Sequence, residues 1–356
     1  MMLKKYPMLK KKYTANMKNL NIYIEEGLAD WGEDKLKKRL DKQTSEEAIK
    51  REIINWVITH SDKRIFKSRF KFDFKTTPIT VNYDGDIEFK NHMTSLTNGI
   101  FQWGVVGRDF NCQGCKSLKS LEGAPKTVGE DFWCGYCPSL ESLEGAPKEV
   151  GGVFSCNDCK SLKSLEGAPK EVGSDFYCRC CPLESLEGAP EKVGRDFVCS
   201  QCNLLESLAG GPKEVGRCFG CSYCESLKSL EGSPEKVGSD FDCKYCPSLK
   251  SLEGAPKEIK GYFNCNQCES LESLKGAPNK VDGYFSCTYC KSLKSLEGAP
   301  KYVGGVFECR YCPKLTSLEG APEIVNGWLF DCGNCGKKFT EEDVKKVSDV
   351  KGKINC

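Results

Sequence analysis

Histidine is almost missing from this chain of 356 residues, which contains His60, His92 and no other histidine. Two isolated histidines far apart in the sequence form no cluster that could serve as a catalytic base or as a set of metal ligands. The sequence also shows no phosphate-binding G-x-x-x-x-G-K-[ST] motif and no recognisable nucleophile and base pair. It therefore predicts a protein that is not an enzyme.

Long apolar stretches and an excess of one charge are lacking as well. No run of 18 or more apolar residues occurs, and the basic N-terminal segment has no apolar core of the secretory type. The 52 basic and 50 acidic side chains nearly cancel, so no strong field exists to hold nucleic acid or an anionic membrane. We expect a cytoplasmic, unsecreted monomer that binds neither nucleic acid nor membrane.

Cysteine and glycine, in contrast, are abundant, with 25 and 35 residues, and both recur in one repeated unit. The unit reads D-F-x-C-x-x-C-x-S-L-x-S-L-E-G-A-P-K-x-V-G-x, and its steps are 22 residues except for one of 21 and one of 23. A fixed period of this length indicates a solenoid whose coils bury their apolar faces against one another. The first cysteines of the eleven coils are Cys112, Cys134, Cys156, Cys178, Cys199, Cys221, Cys243, Cys265, Cys287, Cys309 and Cys332.

Within one coil, the apolar positions from Val128 to Leu143 read V-x3-F-x-C-x2-C-x2-L-x2-L. This spacing resembles the leucine-rich repeat of the cysteine-containing type. The resemblance implies that Phe132 and Cys134 point inward from a short strand, and that Cys137 occupies the slot that holds asparagine or cysteine in that family. It also implies a surface on the strand side that binds a protein partner.

The predicted fold class is a mainly β repeat solenoid with 22-residue coils, short parallel strands and little helix on the convex side. The E-G-A-P segment supplies the turn, in which Gly145 can adopt a positive φ. The S-L-E-G-A-P wording also resembles repeats in proteins of tailed bacteriophages. That resemblance implies a phage-encoded or bacterial protein, located in the host cytoplasm or in the virion.

Five segments are expected along the chain. They are a disordered extension at 1–16, a helical N-terminal module at 17–78, a β-hairpin with a degenerate capping coil at 79–110, the eleven coils at 111–338, and a capping helix with a tail at 339–356.

Capping motifs and alternation place the elements at the two ends. A capping box at Thr44 predicts the start of an amphipathic helix, and Asp84 and Gly85 predict the turn of the hairpin. A second capping box at Thr340 predicts a terminal helix with one face formed by residues from Val344 to Val350.

The cysteine pairs permit three interpretations. The first is a structural ladder of reduced thiols with no cofactor, the second is a set of zinc or iron-sulfur sites on the C-x2-C pairs, and the third is disulfides. The ladder is favoured because the degenerate coil places Ile87 and Phe89 where other coils have Phe and the first cysteine. The ladder residues with regular spacing are Cys112, Cys115, Cys134, Cys137, Cys156, Cys159, Cys243, Cys246, Cys265, Cys268, Cys287, Cys290, Cys309 and Cys312.

Aromatic residues recur at the positions that vary from coil to coil. Such side chains are frequent anchors in protein interfaces, but they could equally brace neighbouring coils by stacking. The candidate partner-binding residues are Trp133, Tyr136, Tyr177, Tyr223, Tyr245, Tyr289 and Tyr311.

A segment that starts at Met17 resembles the short N-terminal tags of internal capsid proteins of T-even-like phages. In the same segment, Glu26 stands in a sequence similar to the cleavage site of prohead proteases. The alternative is an ordinary amphipathic helix. The function predicted from the sequence is a non-enzymatic scaffold for protein interaction, with a metal or redox protein and a capsid-targeted protein as alternatives.

Overall fold

The computed structural model describes residues 33–356, with side chains from residue 41 onward. The chain divides into two compact units, Met1–Thr59 and His60–Cys356, which are treated separately here. The predicted extension at 1–16, the Met17 segment and Glu26 lie outside the described residues. No helix in the described part is long and apolar enough to cross a membrane.

Helix α1 spans Glu33–His60. It begins eleven residues before Thr44, so the prediction that Thr44 caps its N-terminus is wrong. The residues from Glu33 to Thr44 contain neither Gly nor Pro and are mostly good helix formers, and they extend the helix past the capping motif. The predicted helical face is confirmed by the burial of Ile49, Ile53 and Val57.

The second unit begins with a 3₁₀ turn at Lys67–Arg69, followed by β1 (Phe70–Asp73) and β2 (Ile79–Tyr83), which pair antiparallel. The hairpin predicted at Asp84–Gly85 is wrong, because β2 runs parallel to β4 and the next strand, β3, runs parallel to β5. Tyr83 and Ile87 are spaced like the Val and Phe of a coil, and both are buried. The chain therefore turns a corner of the solenoid between them, and the antiparallel pair lies one strand earlier.

The Phe side of the solenoid is a parallel sheet of thirteen strands within the described residues. Each strand pairs in register with its equivalent in the neighbouring coil, as Phe132 does with Phe154. The strands are β3 (Ile87–Glu88), β5 (Phe110–Asn111), β7 (Phe132–Trp133), β9 (Phe154–Ser155), β11 (Phe176–Tyr177), β13 (Phe197–Val198), β15 (Phe219–Gly220), β17 (Phe241–Asp242), β19 (Phe263–Asn264), β21 (Phe285–Ser286), β23 (Phe307–Glu308), β25 (Leu329–Asp331) and β27 (Lys353–Asn355).

The Val side forms two sheets in the described chain, one of nine strands and one of five. The first contains β1 and β2, then β4 (Phe101–Val106), β6 (Thr127–Val128), β8 (Glu149–Val150), β10 (Glu171–Val172), β12 (Lys192–Val193), β14 (Glu214–Val215) and β16 (Lys236–Val237). The second contains β18 (Glu258–Ile259), β20 (Lys280–Val281), β22 (Tyr302–Val303), β24 (Ile324–Val325) and β26 (Asp349–Val350).

The interruption between β16 and β18 falls where Lys260 follows the strand in place of the glycine of earlier coils. At the equivalent Gly238, an added Cβ would lie 1.9 Å from the carbonyl oxygen of Gly216. Asp282 occupies the same position one coil later without interrupting the sheet. The first residue larger than glycine therefore coincides with the break, whereas the next one is accommodated.

The core repeats the same side chains in every coil. The ring centroids of neighbouring ladder phenylalanines, from Phe110 to Phe330, lie 5.0–5.6 Å apart, and most of the rings are nearly parallel. The inward positions predicted from the repeat, such as Phe132, Cys134 and Leu140, are all fully buried. The predicted turn is confirmed by Gly145, which has a φ of +87° and packs against the backbone of the preceding coil.

The C-terminal end differs from the prediction. Helix α2 spans only Glu341–Lys345, with the predicted capping box at Thr340 in place and Val344 buried. The chain then continues as β26 and β27, which add a further coil to both sheets. Val350 and Ile354 repeat the V-x3-F spacing, so this segment closes the solenoid as a strand pair, and the predicted helical face through Val350 is wrong.

Candidate functional site

The two cysteine columns lie inside the solenoid. Of the 25 cysteines, 21 are buried, and all 25 are free thiols. Burial raises the pKa of Cys112 and Cys134 well above the usual range and raises that of Cys224 to about 12. Thiols in this environment stay protonated near neutral pH.

The second cysteine of each coil has a defined hydrogen-bond partner. From Cys137 onward, its thiol donates to the carbonyl oxygen of the first cysteine in the preceding coil, as Cys137 does to Cys112 at 3.3 Å. The same bond, with Sγ to oxygen distances of 3.1–3.4 Å, is made by Cys159, Cys181, Cys202, Cys224, Cys246, Cys268, Cys290, Cys312 and Cys335. The second cysteines therefore donate to backbone carbonyl oxygens that the strand pairing leaves without a partner. The spacing of the cysteines in the sequence does not reveal these bonds.

The arrangement of the thiols bears directly on the metal alternative. Metal ligation requires thiolates, whereas these bonds require the S–H proton. Within the described residues, no group of three or more Cys, His, Asp or Glu side chains has the arrangement of a metal site. Among the ladder thiols whose pKa is shifted, only Cys181 and Cys335 have a lowered pKa. The cause is a hydrogen bond with Cys159 and with Cys309, respectively.

The irregular thiols have ordinary structural environments. Cys180 occupies the position before a second cysteine and has a positive φ of 59°. Cys218 is half-buried, and its thiol donates to a carboxylate oxygen of Asp240 at 3.4 Å. Burial raises the pKa of Cys218, so this thiol is not activated. Cys356 is exposed, and its sulfur lies 3.3 Å from that of Cys332.

The predicted tyrosines form a column at the turn after the strand, here called the tyrosine column. Tyr136, Tyr223, Tyr245, Tyr289 and Tyr311 are all exposed, and all have φ between 56° and 60°. Other coils place Gly114, Asp158, Cys180, Gln201, Gln267 or Asn334 in this left-handed position. The backbone demands an unusual conformation here, yet the side chain is free to vary, because it points out of the core.

Stacking divides the tyrosine column into two kinds of residue. Tyr223 stacks on Tyr245 with ring centroids 4.4 Å apart, and Tyr289 stacks on Tyr311 at 4.6 Å. Tyr136 has no aromatic stacking partner among the described residues and is 58% exposed. The bracing interpretation therefore fits the two pairs, and Tyr136 presents a free ring.

Trp133 and Tyr177 lie in a different column, on the outer side of the thirteen-stranded sheet between Phe and the first cysteine. Both are half-buried. Burial, and then the carboxylates of Asp175 and Asp196, raise the pKa of Tyr177. The structure therefore does not gather the seven predicted aromatic residues into one patch, but distributes them over two parallel columns.

A third column, missed by the sequence analysis, consists of the residue immediately before each ladder Phe. Here it is called the pre-Phe column. A carboxylate oxygen of Asp131 accepts a hydrogen bond of 2.8 Å from the backbone N–H of Val153 in the next coil. Equivalent bonds of 2.9–3.1 Å are made by Asp109, Asp175, Asp196 and Asp240. The recurring D-F dipeptide is the feature of the sequence that marks this column. Its aspartates form a ladder of carboxylate hydrogen bonds between neighbouring coils.

From coil eight onward the pre-Phe column changes to Tyr262, Tyr284, Val306 and Leu329, and Trp328 stands one residue before Leu329. Tyr262, Tyr284 and Trp328 are exposed. We call the exposed side of the thirteen-stranded sheet, together with the pre-Phe and tyrosine columns and Trp328, the strand face. The tyrosine column thus extends over most of the solenoid, whereas the aromatic residues in and beside the pre-Phe column are confined to the last four coils.

The regular lysines and glutamates of the other surfaces form ion pairs between neighbouring coils. Examples are Lys228 with Glu206 at 2.7 Å and Lys294 with Glu272 at 2.8 Å. Because both partners are exposed to solvent, each pair contributes little to stability.

Comparisons with known proteins add little to this description. No model of a known protein family matches the chain, and no curated protein matches it. A solved structure described as a leucine-rich repeat protein from Bacteroides ovatus ATCC 8483 aligns with 76% of this chain and 94% of its own, at 13% identity and a TM-score of 0.20. A superposition of that quality carries no argument about function.

Proposed function

We propose that the solenoid is a non-enzymatic scaffold that binds a protein partner on its strand face. The observation that carries the proposal is the contrast between an inner framework repeated in every coil and an outer sheet surface that varies and exposes large aromatic rings. Tyr136, Tyr284 and Trp328 are 58%, 54% and 64% exposed, respectively. Aromatic side chains with polar tips are enriched where proteins bind one another.

The other surfaces are less suited to this role. The arms that carry Lys228 and Lys294 present lysines and glutamates that already pair with each other. Lysine and glutamate are depleted in protein interfaces, in part because their burial costs desolvation and side-chain entropy. The strand face is therefore the surface on which partner binding would release most free energy.

Photo-crosslinking in the cells that naturally produce the protein tests this proposal. A benzophenone amino acid is placed at Tyr136 or Trp133 on the strand face, and at Lys228 or Lys294 as matched control positions. We expect one adduct of defined mass from the strand-face positions and none from the controls, with the partner identified by mass spectrometry. Adducts from the control positions alone, or from no position, would contradict the proposal.

We propose in addition that the cysteine columns serve the fold and hold no cofactor. The support is the ten thiol to carbonyl bonds, each of which needs a protonated sulfur. Elemental analysis of protein purified without oxygen is expected to find almost no zinc, iron or copper, with all 25 thiols reactive after denaturation. Several equivalents of metal, lost together with the fold on chelation, would make the thiols metal ligands instead.

One coil offers a matched pair of variants for the same question. The Cys246 thiol donates a hydrogen bond of 3.3 Å to the carbonyl oxygen of Cys221. Cys243 is equally buried, but within the described part of the chain its thiol makes no such bond to a carbonyl oxygen. Cys246→Ala should lower the free energy of unfolding by about 1 kcal/mol more than Cys243→Ala, because it leaves a buried acceptor unpaired. Urea unfolding of both variants measures the difference, and equal losses would remove the proposed role of the bond.

A further inference from the structure

In the last coils, the strand face contains a cavity of about 300 Å³, and no residue of the tyrosine column lines it. It is bordered by Tyr262, Tyr284 and Val306 of the pre-Phe column and by Trp328, which stands one residue before that column in the last coil. Asn264, Ser286 and Glu308, which are the outward residues of three successive strands, complete its polar side. We call this cavity the aromatic slot.

Two rings form the walls of the slot. Tyr284 and Trp328 are separated by two coils, roughly 10 Å at the usual spacing of paired strands. Val306, in the coil between them, is only 4% exposed and forms the floor. A flat group stacked between two rings needs about 7 Å between their planes, so a separation of two coils leaves room for a planar group.

Backbone features hold these walls. The ring of Tyr284 lies against Gly305 of the next coil, where an added Cβ would be 2.5 Å from Cδ1 of the ring. Between Val325 and Phe330 the chain has four residues, Asn326 to Leu329, whereas the preceding coil has three between Val303 and Phe307. The extra residue accompanies the high exposure of Trp328. The one 23-residue step of the repeat therefore occurs at the outer wall of the slot.

The slot is negatively charged. Glu308 is half-buried, and a carboxylate oxygen lies 3.1 Å from the hydroxyl of Ser286. That hydroxyl is also 2.7 Å from Asn266, so its single proton is shared, and no ion pair within residues 41–356 includes Glu308. No lysine or arginine lines the slot.

The surroundings of the slot are also negatively charged. Arg310 is directed elsewhere, towards Asp331 at 3.7 Å and over the ring of Tyr311. Burial, together with the carboxylates of Asp242 and Asp240, raises the pKa of Tyr262 to about 12, as expected for a phenol in a negative field. A cation entering the slot would meet an unpaired carboxylate and the electron-rich faces of aromatic rings.

We propose that the aromatic slot binds an arginine side chain of the protein partner, with the guanidinium between Tyr284 and Trp328 and paired with Glu308. This inference rests on the proposed function, because it names the group through which the partner would anchor. Guanidinium is planar and weakly hydrated, stacks on aromatic faces, and binds carboxylates with two parallel hydrogen bonds. Lysine shares the charge but not the plane, and a neutral sugar gains nothing from the unpaired carboxylate.

The slot can be tested without knowledge of the partner, by fluorine NMR of the full chain labelled with 5-fluorotryptophan. The five tryptophans give separate reporters, and Trp328→Phe identifies the signal of the slot. The probe is the blocked peptide acetyl-Gly-Arg-Gly-amide, and its neutral control contains citrulline in place of arginine. Trp133, on the strand face of coil two, serves as the internal reference.

The arginine peptide should shift the Trp328 signal in a saturable manner and leave Trp133 unchanged. We expect the citrulline peptide and the Glu308→Gln variant each to weaken binding by about tenfold, since each removes the charge pair while keeping the shape. Tyr284→Ala should weaken binding by a similar factor through loss of one wall. Glu308 and Tyr284 are both at the surface, so neither change should unfold the chain.

Three results would overturn the inference: no shift at Trp328, equal binding of both peptides, or a stronger response to methyl glucoside than to the arginine peptide. The last would assign the slot to a neutral sugar. Failure of the slot is separate from failure of the scaffold proposal. Crosslinking at Tyr136 and Trp133 can still succeed when the peptide does not bind, and a peptide that binds in the slot does not by itself produce the crosslink.

Discussion

The first seven coils, with first cysteines from Cys112 to Cys243, and the last four, from Cys265 to Cys332, share one interior and differ outside. In both regions the phenylalanine, leucine and cysteine columns are buried. In the first region the pre-Phe column is mostly aspartate that bonds to the next coil, and in the second it is aromatic or apolar. The Val-side sheet also breaks between the two regions.

The comparison shows which positions the fold constrains. A residue that points inward must fill the same space in every coil, so its identity hardly changes. A residue in the pre-Phe column can either bond to the next coil, as Asp131 does, or project a side chain outward, as Tyr284 does. Coils eight and nine have exposed tyrosine rings in the column where most earlier coils have inter-coil bonds, and this difference supports the proposed binding surface.

The largest effect is expected from alkaline pH, which tests whether the shared interior unites the two regions. Burial raises the pKa of most ladder thiols above the value of about 9 in an unfolded chain. Below that value both states keep their protons, so stability does not depend on these groups. Above it, only the unfolded chain releases protons, and each such thiol lowers the free energy of unfolding by about 1.4 kcal/mol per pH unit.

All eleven coils should therefore lose structure together just above pH 9 to 10, under reducing conditions, and regain it on return to neutral pH. Circular dichroism follows the sheet, while fluorine signals of Trp133 and Trp328 report the two regions separately. Unfolding of one region at a clearly different pH would show that the shared interior does not make them one cooperative unit.

The next effect concerns the column of glycines after the Val-side strands, which Lys260 is the first residue to interrupt. Gly238→Ala places a Cβ 1.9 Å from the carbonyl oxygen of Gly216 and should lower the free energy of unfolding by more than about 2 kcal/mol. Gly220→Ala is the matched control, because the nearest atom to its Cβ is 3.5 Å away. Urea denaturation measures both. If Gly238→Ala were as harmless as the control, close packing at this column could not explain where the sheet breaks.

The smallest effect separates the two versions of the pre-Phe column. Asp131→Ala removes the acceptor of the Val153 N–H and should lower the free energy of unfolding by about 1 kcal/mol. Tyr284→Ala, in the second region, removes only an exposed ring and should change stability by less than about 0.5 kcal/mol. Thermal or urea unfolding of the two variants provides the comparison. A larger loss of unfolding free energy for Tyr284→Ala than for Asp131→Ala would mean that the Tyr284 ring stabilises the fold.

The local pattern predicted some features of the site and not others. The cysteine columns and the exposed tyrosines follow directly from the repeat, because a fixed spacing assigns each residue to a side of the coil. The stacking of Tyr223 on Tyr245, and the isolation of Tyr136, depend on which neighbours the next coil supplies. The aromatic slot requires Tyr284, Val306, Glu308 and Trp328 to meet across three coils, and no local pattern in the sequence marks that meeting.

The errors at Thr44 and at Asp84 have different physical origins. The motif at Thr44 marks a helix start in isolation, yet the residues before it are good helix formers and extend α1 to Glu33. The segment around Asp84 and Gly85 has the composition of a hairpin turn, but the strands on its two sides pair with β4 and β5 and bury Tyr83 and Ile87. At Asp84 and Gly85, tertiary pairing outweighs the local preference.

The sequence alone therefore determined the solenoid, the coil boundaries and the inward residues from Phe110 to Leu318, because each follows from periodicity and hydrophobic burial. Only the tertiary structure decided the carboxylate ladder, the direction of the thiol bonds, the closing strands β26 and β27, and the slot between Tyr284 and Trp328. These features depend on distances between coils, and those distances are set by how successive backbones stack.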